Sequence, residues 1–244
     1  MRRSLLVAGA VALAFLLPSS GRAEDAKGVG FIDRVHKDPD GKEIKYVLFV
    51  PHDYKGDKPY PVILFLHGAG ETKGGTKMPV EVGIGTAIKK QEKTFPCITI
   101  IPQAQKRGWS ATGDEGKRAI AILDEVMKEY KTDPKRVYLT GLSMGGAGTW
   151  SLAINHPDRW AAIVPICGGG DATMAEKIKD IPCWCFWGDQ DAPAKSSMPK
   201  MLDALKAAGG KPKFTEYPGV GHNSWDMAYG TKELFDWLLM QSRK

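Results

Sequence analysis

The sequence predicts an α/β fold in which a mostly parallel β-sheet carries helices on both of its faces. From residue 62 to residue 241, short apolar runs alternate with segments of helical pattern. Such alternation is typical of parallel strands joined by right-handed helical crossovers. Before this region, two runs at 30–37 and 42–50 flank the turn-forming segment Asp38-Pro39-Asp40-Gly41. This pattern predicts an antiparallel hairpin at the edge of the sheet.

The elements after the hairpin are predicted to alternate along the chain. The runs at 61–66 and 183–187 are strongly apolar, as expected for strands that are buried on both faces. Asp133-Pro134 predicts the end of a helix, because proline cannot continue one. The predicted strands are 62–67, 97–102, 137–141, 162–167, 183–188 and 213–217, and the predicted helices are 84–92, 117–130, 145–155, 196–208 and 231–241.

Residues 1–23 are predicted to form a cleaved secretory signal peptide, and residues 24–244 a single domain. Met1-Arg2-Arg3 supplies a charged start, an apolar run follows at 5–17, and Gly21-Arg22-Ala23 places small residues before the cleavage point. The run is too short for a good transmembrane helix. We therefore expect a secreted or periplasmic protein without stable membrane insertion. The arginine pair leaves twin-arginine export open as an alternative to the Sec route.

Charge and motifs exclude several classes of partner. The formal net charge is +6, and cleavage of the signal peptide would remove three arginines and no acid, which leaves +3. Lysine and arginine are scattered along the chain, so binding to nucleic acid is not expected. The glycine-rich segments at 29–30 and 168–170 lack both the Lys-Ser/Thr ending of a phosphate loop and the dinucleotide fingerprint. No cofactor is therefore predicted.

The four cysteines are predicted to be buried thiols. Cys97, Cys167, Cys183 and Cys185 each fall in or at the end of a predicted strand. Their spacing relative to histidine is not that of a metal site, so no metal is predicted. Cys183 and Cys185 point to one face of their strand, where Cys167 could approach. A disulfide within this group is the alternative in an oxidising compartment.

The segment Gly141-Leu142-Ser143-Met144-Gly145 is the most informative motif of the chain. It joins a predicted strand to a predicted helix, which is the context in which G-x-S-x-G forms a nucleophile elbow. Glycines two residues on either side of Ser143 allow a sharp turn in which a Cβ would clash. The turn exposes the serine hydroxyl and directs the Met144 backbone N–H toward the same space. Ser143 is therefore the candidate nucleophile, and Met144 a candidate donor of an oxyanion hole.

A serine nucleophile needs a base that removes its proton. His222 lies in the glycine-rich loop after the last predicted strand, where such a base is expected. His156 stands beside Pro157, which ends the helix after the nucleophile, and is expected to lie at the surface. We therefore predict His222 as the base.

The base needs an acid that holds its ring in one orientation. Asp189 and Asp191 both follow the strand at 183–188. Asp191 is the predicted acid, because it lies further along the loop and can turn back toward the histidine. Asp189, the alternative, is expected to tie the loop through backbone N–H groups. Asp171 and Asp226 are expected to be solvated.

A second oxyanion donor is predicted in the loop His67-Gly68-Ala69-Gly70, which follows the apolar run at 61–66. Small residues there let the backbone approach a substrate closely. The Ala69 N–H is the predicted donor, with Gly68 or Gly70 as alternatives. His67 precedes the serine in the chain and is interpreted as a residue that fixes the loop.

Taken together, these segments resemble the α/β-hydrolases of the secreted carboxylesterase type. The chain is similar to bacterial proteins described as predicted peptidases and to feruloyl-esterase and polyhydroxybutyrate-depolymerase-like enzymes. The resemblance implies the α/β-hydrolase fold, a Ser-Asp-His triad and hydrolysis of esters or amides. Two departures are Ala192-Pro193 after the acid, where members usually carry Val-Pro, and the atypical segment 71–75. The matching segments are 66–70, 139–150, 164–169, 186–191 and 215–226.

The substrate site is expected to be open. Cap domains of such enzymes enter between the strands that end near Cys167 and start near Cys183, and this chain has only a short segment there. Trp109 and Trp225 lie in loops near the predicted site and could wall an aryl acyl group or a sugar, with packing under the loops as the alternative. We expect a serine hydrolase acting on small or polymer-linked carboxylic esters. A peptidase of the same fold is the alternative, and a non-catalytic binding protein is less favoured.

Overall fold

The computed structural model describes residues 28–75 and 78–244. The predicted signal peptide at 1–23 lies outside these residues. Within them, no helix combines the length and the apolar character that crossing a bilayer requires.

One mixed sheet of eight strands organises the described part of the chain. Its order is β1-β2-β4-β3-β5-β6-β7-β8. The pairs β1–β2 and β2–β4 are antiparallel, and the other neighbours are parallel, so the predicted edge hairpin and the mostly parallel sheet are both confirmed. The strands are β1 Gly30–Lys37, β2 Glu43–Val50, β3 Tyr60–Leu66, β4 Ile98–Pro102, β5 Thr132–Leu142, β6 Ala162–Ile166, β7 Trp184–Gly188 and β8 Lys213–Tyr217.

Helices α1 to α4 connect strands of the sheet, and α5 and α6 follow the last strand. The bounds are α1 Ile84–Lys90, α2 Asp114–Glu129, α3 Met144–Asn155, α4 Ala192–Ala207, α5 Trp225–Gly230 and α6 Lys232–Leu239. Helix α4 begins four residues before the predicted start at 196, because the Asp191 side chain accepts a hydrogen bond from the Ala194 N–H and caps it. Helix α5 was not predicted. It is a single short helix whose first turn follows the loop that carries His222.

The central strands are buried on both faces. Every residue of β3 is buried, as is the second half of β5. Side chains such as Trp150 of α3 and Phe65 of β3 are almost fully enclosed. Because β3, β5, β6 and β7 are parallel neighbours or next neighbours, their carboxyl ends meet at one edge of the sheet. The loops that leave this edge carry the predicted site residues.

The loop between β6 and β7 holds one short 3₁₀ helix, Ala172–Ile178, and no inserted domain. This agrees with the expectation that the site has no cap at this point. All four cysteines are buried free thiols, so the core-thiol prediction holds and the alternative of a disulfide is not realised. Cys183 directly precedes β7, and Cys185 lies within it. Their sulfurs lie 3.5 Å apart on the same face, as their spacing predicted.

Candidate active site

The turn between β5 and α3 gives Ser143 an unusual backbone conformation. Ser143 has φ 53° and ψ −113°, a conformation that side-chain-bearing residues rarely adopt. The turn is tight because glycines flank it: a Cβ at Gly145 would clash with the Leu66 carbonyl oxygen, and one at Gly141 with the Gly145 carbonyl oxygen. The Ser143 N–H donates to the Ile166 carbonyl oxygen at 2.9 Å, which ties the turn to β6. The nucleophile elbow predicted from the motif is therefore the geometry observed.

Ser143, His222 and Asp191 form one continuous hydrogen-bonded line. The Ser143 Oγ lies 2.8 Å from His222 Nε2, and His222 Nδ1 lies 2.6 Å from Asp191 Oδ2. With a carboxylate on one side of the ring, Nδ1 carries the proton and donates to it, which leaves Nε2 as the acceptor of the serine hydroxyl proton. Asp191 is buried, whereas His222 is half-exposed. The three residues predicted from sequence are thus brought together.

The histidine loop and the acid loop are held against each other by backbone contacts. The Gln190 N–H donates to the Val220 carbonyl oxygen at 2.9 Å. A Cβ at Gly188 would clash with that same carbonyl oxygen, so the close approach depends on glycine at the end of β7. This contact brings Asp191 within reach of His222 although the two are far apart in sequence.

The other carboxylates weighed from sequence have different partners. Asp189 Oδ1 accepts hydrogen bonds from the Gly219 N–H at 2.8 Å and from the Gln190 side chain at 3.0 Å. It therefore fastens the loop to the segment after β8, as expected for the alternative acid. Asp171 caps the 3₁₀ helix before β7 by accepting from the Thr173 N–H, and Asp226 accepts from the Asn223 side chain. Neither makes a hydrogen bond to His222 in the described part of the chain.

His156 does not contribute to this line. It lies at the carboxyl end of α3, and its N–H donates to the Leu152 carbonyl oxygen. Burial, and then the nearby Arg159 guanidinium, lower the pKa of its imidazole. Its interpretation as a residue of the helix terminus agrees with the structure.

His67 fixes the loop after β3. Its side chain is fully buried, its Nδ1–H donates to the Gly68 carbonyl oxygen at 2.6 Å, and its Nε2 accepts from the Ala104 N–H at 3.0 Å. Burial lowers the pKa of this imidazole to about 4, so the ring is neutral and each nitrogen has one defined role. Ala69 then begins a short 3₁₀ helix, Ala69–Glu71, and Met144 begins α3. Backbone N–H groups at such first positions have no partner within their own helix.

Trp109 does not lie where an aromatic wall requires it. Only 3% of its surface is exposed, its indole N–H donates to the His67 carbonyl oxygen at 2.9 Å, and a Cβ at Gly148 of α3 would clash with it. The ring packs between the loop after β3 and α3, so the packing alternative for Trp109 agrees with the structure and the aromatic wall does not. Trp225 is half-buried, and its ring meets the His222 ring edge-on at 5.7 Å between centroids.

Cys167 lies beside the three residues, a position that sequence analysis did not assign to it. Its sulfur, a carboxylate oxygen of Asp191 and a ring nitrogen of His222 all lie within 4.8 Å of one another. Burial raises the pKa of the thiol to about 12, which disfavours the thiolate that a metal ligand requires. The position was detectable in principle, because Cys167 ends a predicted strand at the same edge of the sheet as Ser143.

The family comparison agrees with this geometry. The profile of the family Esterase, described as "Putative esterase", matches residues 40–234. The chain belongs to the Esterase family. This confirms the resemblance stated from the sequence segments.

Relatives of this Esterase family member are known in sequence and in structure. "Probable feruloyl esterase C" of Aspergillus niger is 28% identical over 174 residues, which cover 69% of this chain and 62% of that protein. The protein in a crystal structure of a "Thermostable Esterase" is 36% identical, with a TM-score of 0.78. The match covers 87% of this chain and 63% of that chain. The chain thus spans less than two thirds of the length of both relatives.

A second structure supports the fold alone. The feruloyl esterase module from Clostridium thermocellum, solved as an S954A mutant with sinapinate, is 16% identical with a TM-score of 0.68, and the match covers 88% of this chain and 89% of the module. Together these similarities confirm the predicted α/β-hydrolase fold of the Esterase family member.

The buried neutral His67 predicts an acid-sensitive component of stability. A histidine in the unfolded chain has a pKa near 6.5, whereas the pKa of His67 in the folded protein is about 4. Between these values the unfolded state binds more protons, so the free energy of unfolding falls as the pH falls. The contribution is fully present above pH 6.5, and about 3 kcal/mol is lost by pH 4. Urea unfolding of the wild type and of His67→Gln at several pH values measures it.

The control for this experiment is His52→Gln, since His52 is partly exposed and pairs with Glu92 at the surface. His67→Gln should lose less stability between pH 6.5 and pH 4 than the wild type, whereas His52→Gln should follow the wild type. Equal losses in the wild type and in His67→Gln would contradict the assignment.

Proposed function

We propose that the protein is a serine hydrolase that cleaves carboxylic esters through an acyl-enzyme intermediate. The observation that carries the proposal is the line from the Ser143 hydroxyl through His222 to the buried Asp191, with distances of 2.8 and 2.6 Å. A hydroxyl that faces an oriented, neutral imidazole is the arrangement that nucleophilic acyl transfer requires. Membership of the Esterase family supports the same reaction class.

In the first half of the reaction, His222 Nε2 takes the proton from the Ser143 Oγ as that oxygen attacks the ester carbonyl carbon. The Ser143 oxygen–carbon bond forms, and the carbonyl oxygen becomes an oxyanion. The backbone N–H groups of Met144 and Ala69 donate to this oxyanion. As the intermediate collapses, the carbon–oxygen bond to the alcohol breaks, and the proton on His222 passes to the departing alcohol oxygen.

In the second half, water takes the place of the alcohol. His222 removes one proton from the water as its oxygen attacks the acyl carbon, and the same proton returns to the Ser143 Oγ when the acid product leaves. Asp191 keeps its charge throughout and stabilises the imidazolium that forms twice in the cycle. Its burial favours this role, because a carboxylate away from water interacts more strongly with the ring.

The proposed substrates are small or polymer-linked esters with an acyl or aryl group. His222 is half-exposed, and no domain is inserted between β6 and β7, so a bulky substrate has access to the serine. Trp225 offers a ring beside His222, where an aryl acyl group would lie. The feruloyl esterase named among the relatives is consistent with such a group.

The proposal includes secretion of the protein. The charged start, the apolar run at 5–17 and the small residues at 21 and 23 support a signal peptide that is cleaved after Ala23. Residues 24–244 would then act outside the cytoplasm as a single catalytic domain, where polymer-linked esters are accessible.

Replacing Ser143 by alanine tests the nucleophile. Ser143→Ala should lower kcat by roughly 10⁴-fold or more and abolish covalent labelling by a fluorophosphonate, because no other hydroxyl among the described residues makes a hydrogen bond to His222. Ser151→Ala is the matched control, since Ser151 lies on the same helix and its Oγ accepts a hydrogen bond from the Ala111 N–H. Intact protein mass should show one adduct in the wild type and in the control. Full turnover by Ser143→Ala would overturn the proposal.

The acid is tested by a pair of neighbouring substitutions. Asp191→Asn removes the charge that stabilises the imidazolium and should cost about 10⁴-fold in kcat. Asp189→Asn weakens the hydrogen bonds to Gly219 and Gln190 and should instead lower stability by about 1 kcal/mol, with near-normal turnover. Measuring kcat and Tm for both separates the roles. A collapse of kcat in Asp189→Asn with normal turnover in Asp191→Asn would transfer the assignment.

The substrate class is tested with methyl ferulate, methyl butyrate, acetylated xylan and aminoacyl nitroanilides. The esters should be hydrolysed and the anilides should not, and Trp225→Ala should raise KM for methyl ferulate several-fold more than for methyl butyrate. Phe214→Ala is the control, because Phe214 is exposed on β8. Faster turnover of the anilides would favour a peptidase. No turnover of any compound by correctly folded protein would favour a binding protein.

A further inference from the structure

The loop that carries His222 is exposed and depends on its two ends for its position. None of the residues 218–223 is buried, and a Cβ at Gly219 or Gly221 would meet no neighbouring atom. At the end of the loop, the Ser224 N–H donates to the His222 carbonyl oxygen at 2.8 Å, and α5 begins at the next residue. The position of α5 therefore sets that of the imidazole.

Helix α5 is too short to hold its place by itself. It has six residues, and a helix of this length is not stable without tertiary contacts. Two of its residues, Ala228 and Tyr229, are buried. Because the side chain of Ala228 is a single methyl group, Tyr229 is the buried residue that reaches into the sheet.

The Tyr229 hydroxyl contacts the strand that leads to the nucleophile. It lies 2.8 Å from Thr140 Oγ1 on β5, three residues before Ser143. Thr140 Oγ1 donates its own proton to the Val164 carbonyl oxygen at 2.8 Å, so Tyr229 is the donor in the bond between the two hydroxyls. Burial raises the pKa of the Tyr229 phenol, so this donor keeps its proton. A buried chain of hydrogen bonds thus joins α5 to β5 and β6.

The Tyr229 ring packs against the end of the same strand. It meets the Phe65 ring of β3 nearly edge-on, with 6.0 Å between centroids. A Cβ at Gly83 would lie 3.1 Å from a carbon of the Tyr229 ring and 2.7 Å from a methyl carbon of Leu142, the residue before Ser143. Groups from β3, from the end of β5 and from the start of α1 therefore enclose the ring and fix the direction of its hydroxyl.

A second contact holds the other end of α5, but to a different strand. The Tyr217 hydroxyl lies 2.8 Å from Thr231 Oγ1, which itself donates to the Met227 carbonyl oxygen at 3.1 Å. Tyr217 ends β8, from which the histidine loop departs. This contact fixes α5 relative to the base of its own loop, whereas the Tyr229 hydrogen bond fixes α5 relative to the strand that carries Ser143.

We propose that Tyr229 is a positioning residue, which through its hydrogen bond to Thr140 holds α5, and with it His222, in line with Ser143. The inference rests on the proposed function, in which His222 takes the proton of Ser143. That transfer depends steeply on the 2.8 Å separation of Nε2 and Oγ. Only 5% of Tyr229 is exposed and its hydroxyl is bound within the sheet, so its loss should lower kcat and leave KM unchanged.

The first test compares Tyr229→Phe with Tyr138→Phe in the full chain, at a temperature well below both Tm values. Tyr229→Phe removes the hydroxyl and keeps the ring, and should lower kcat about 10-fold with KM within about twofold. Tyr138 is the matched control, because it is a buried tyrosine of the same strand whose hydroxyl donates to the Gln241 carbonyl oxygen at 2.9 Å, beyond α6. Its replacement should lower Tm to a similar extent and leave kcat within about twofold of the wild type.

The second test changes the acceptor of the hydrogen bond. Valine has the shape of threonine but accepts no hydrogen bond, whereas serine does. Thr140→Val should lower kcat about 10-fold, and Thr140→Ser should keep it within about threefold of the wild type. The rate of fluorophosphonate labelling should follow kcat in all variants, because labelling requires the alignment of His222 with Ser143 and no bound ester.

Each outcome of these comparisons decides the matter. A wild-type kcat in Tyr229→Phe overturns the inference, and so does an equal loss in Tyr138→Phe, because the loss would then reflect lower stability. A raised KM with unchanged kcat overturns it as well. If Tyr229→Phe does not fold, the Thr140 pair carries the test: a low kcat in Thr140→Val that Thr140→Ser restores supports the inference, and equal kcat values in the two overturn it. Failure of the proposed function is distinguishable, since Ser143→Ala would then retain turnover.

Discussion

The close approach of helix α3 to strand β3 is the constraint on which the rest of the site depends. The two backbones meet at Gly145 and Leu66, where a Cβ would clash. The sharp turn at Ser143, with its φ of 53°, lies at this contact, and the start of α3 lies against the backbone of His67, where the next loop begins. One packing contact therefore joins the turn that carries the proposed nucleophile to the loop that carries the proposed donor Ala69.

The acid is held by a different part of the fold. Asp191 caps the start of α4, where the helix dipole and the Ala194 N–H both favour a negative charge. The same carboxylate accepts the hydrogen bond from His222 Nδ1. One side chain therefore both caps α4 and holds the imidazole ring. The buried thiol of Cys167 lies within 4.8 Å of one oxygen of this carboxylate. Only 3% of Asp191 is exposed, so these protein partners, and not water, fix the position of its carboxylate.

Sequence reasoning succeeded where local chemistry decides structure. The alternation of strands and helices, the edge hairpin and the turn at Ser143 all follow from apolar periodicity and from glycine, proline and aspartate at turns. It left open whether Trp109 forms a wall of the site or packs under its loop. The ring is buried because it fills the space above Gly148 and finds a hydrogen-bond acceptor on His67, and neither neighbour is close to it in sequence. Helix α5 was missed for a related reason, since six residues give too little periodicity.

The sequence by itself determined the fold class and the identity of the serine, the histidine and two candidate acids, because each follows a strand at the carboxyl edge of a parallel sheet. Only the tertiary structure decided between Asp191 and Asp189. Both lie in one short loop, and the choice depends on which side chain turns toward His222 once Gln190 pairs with Val220. Only the tertiary structure, too, places the buried Cys167 beside Asp191 and His222. Contacts between loops from different strands depend on how the sheet twists and packs, and that information is not local to any segment of the chain.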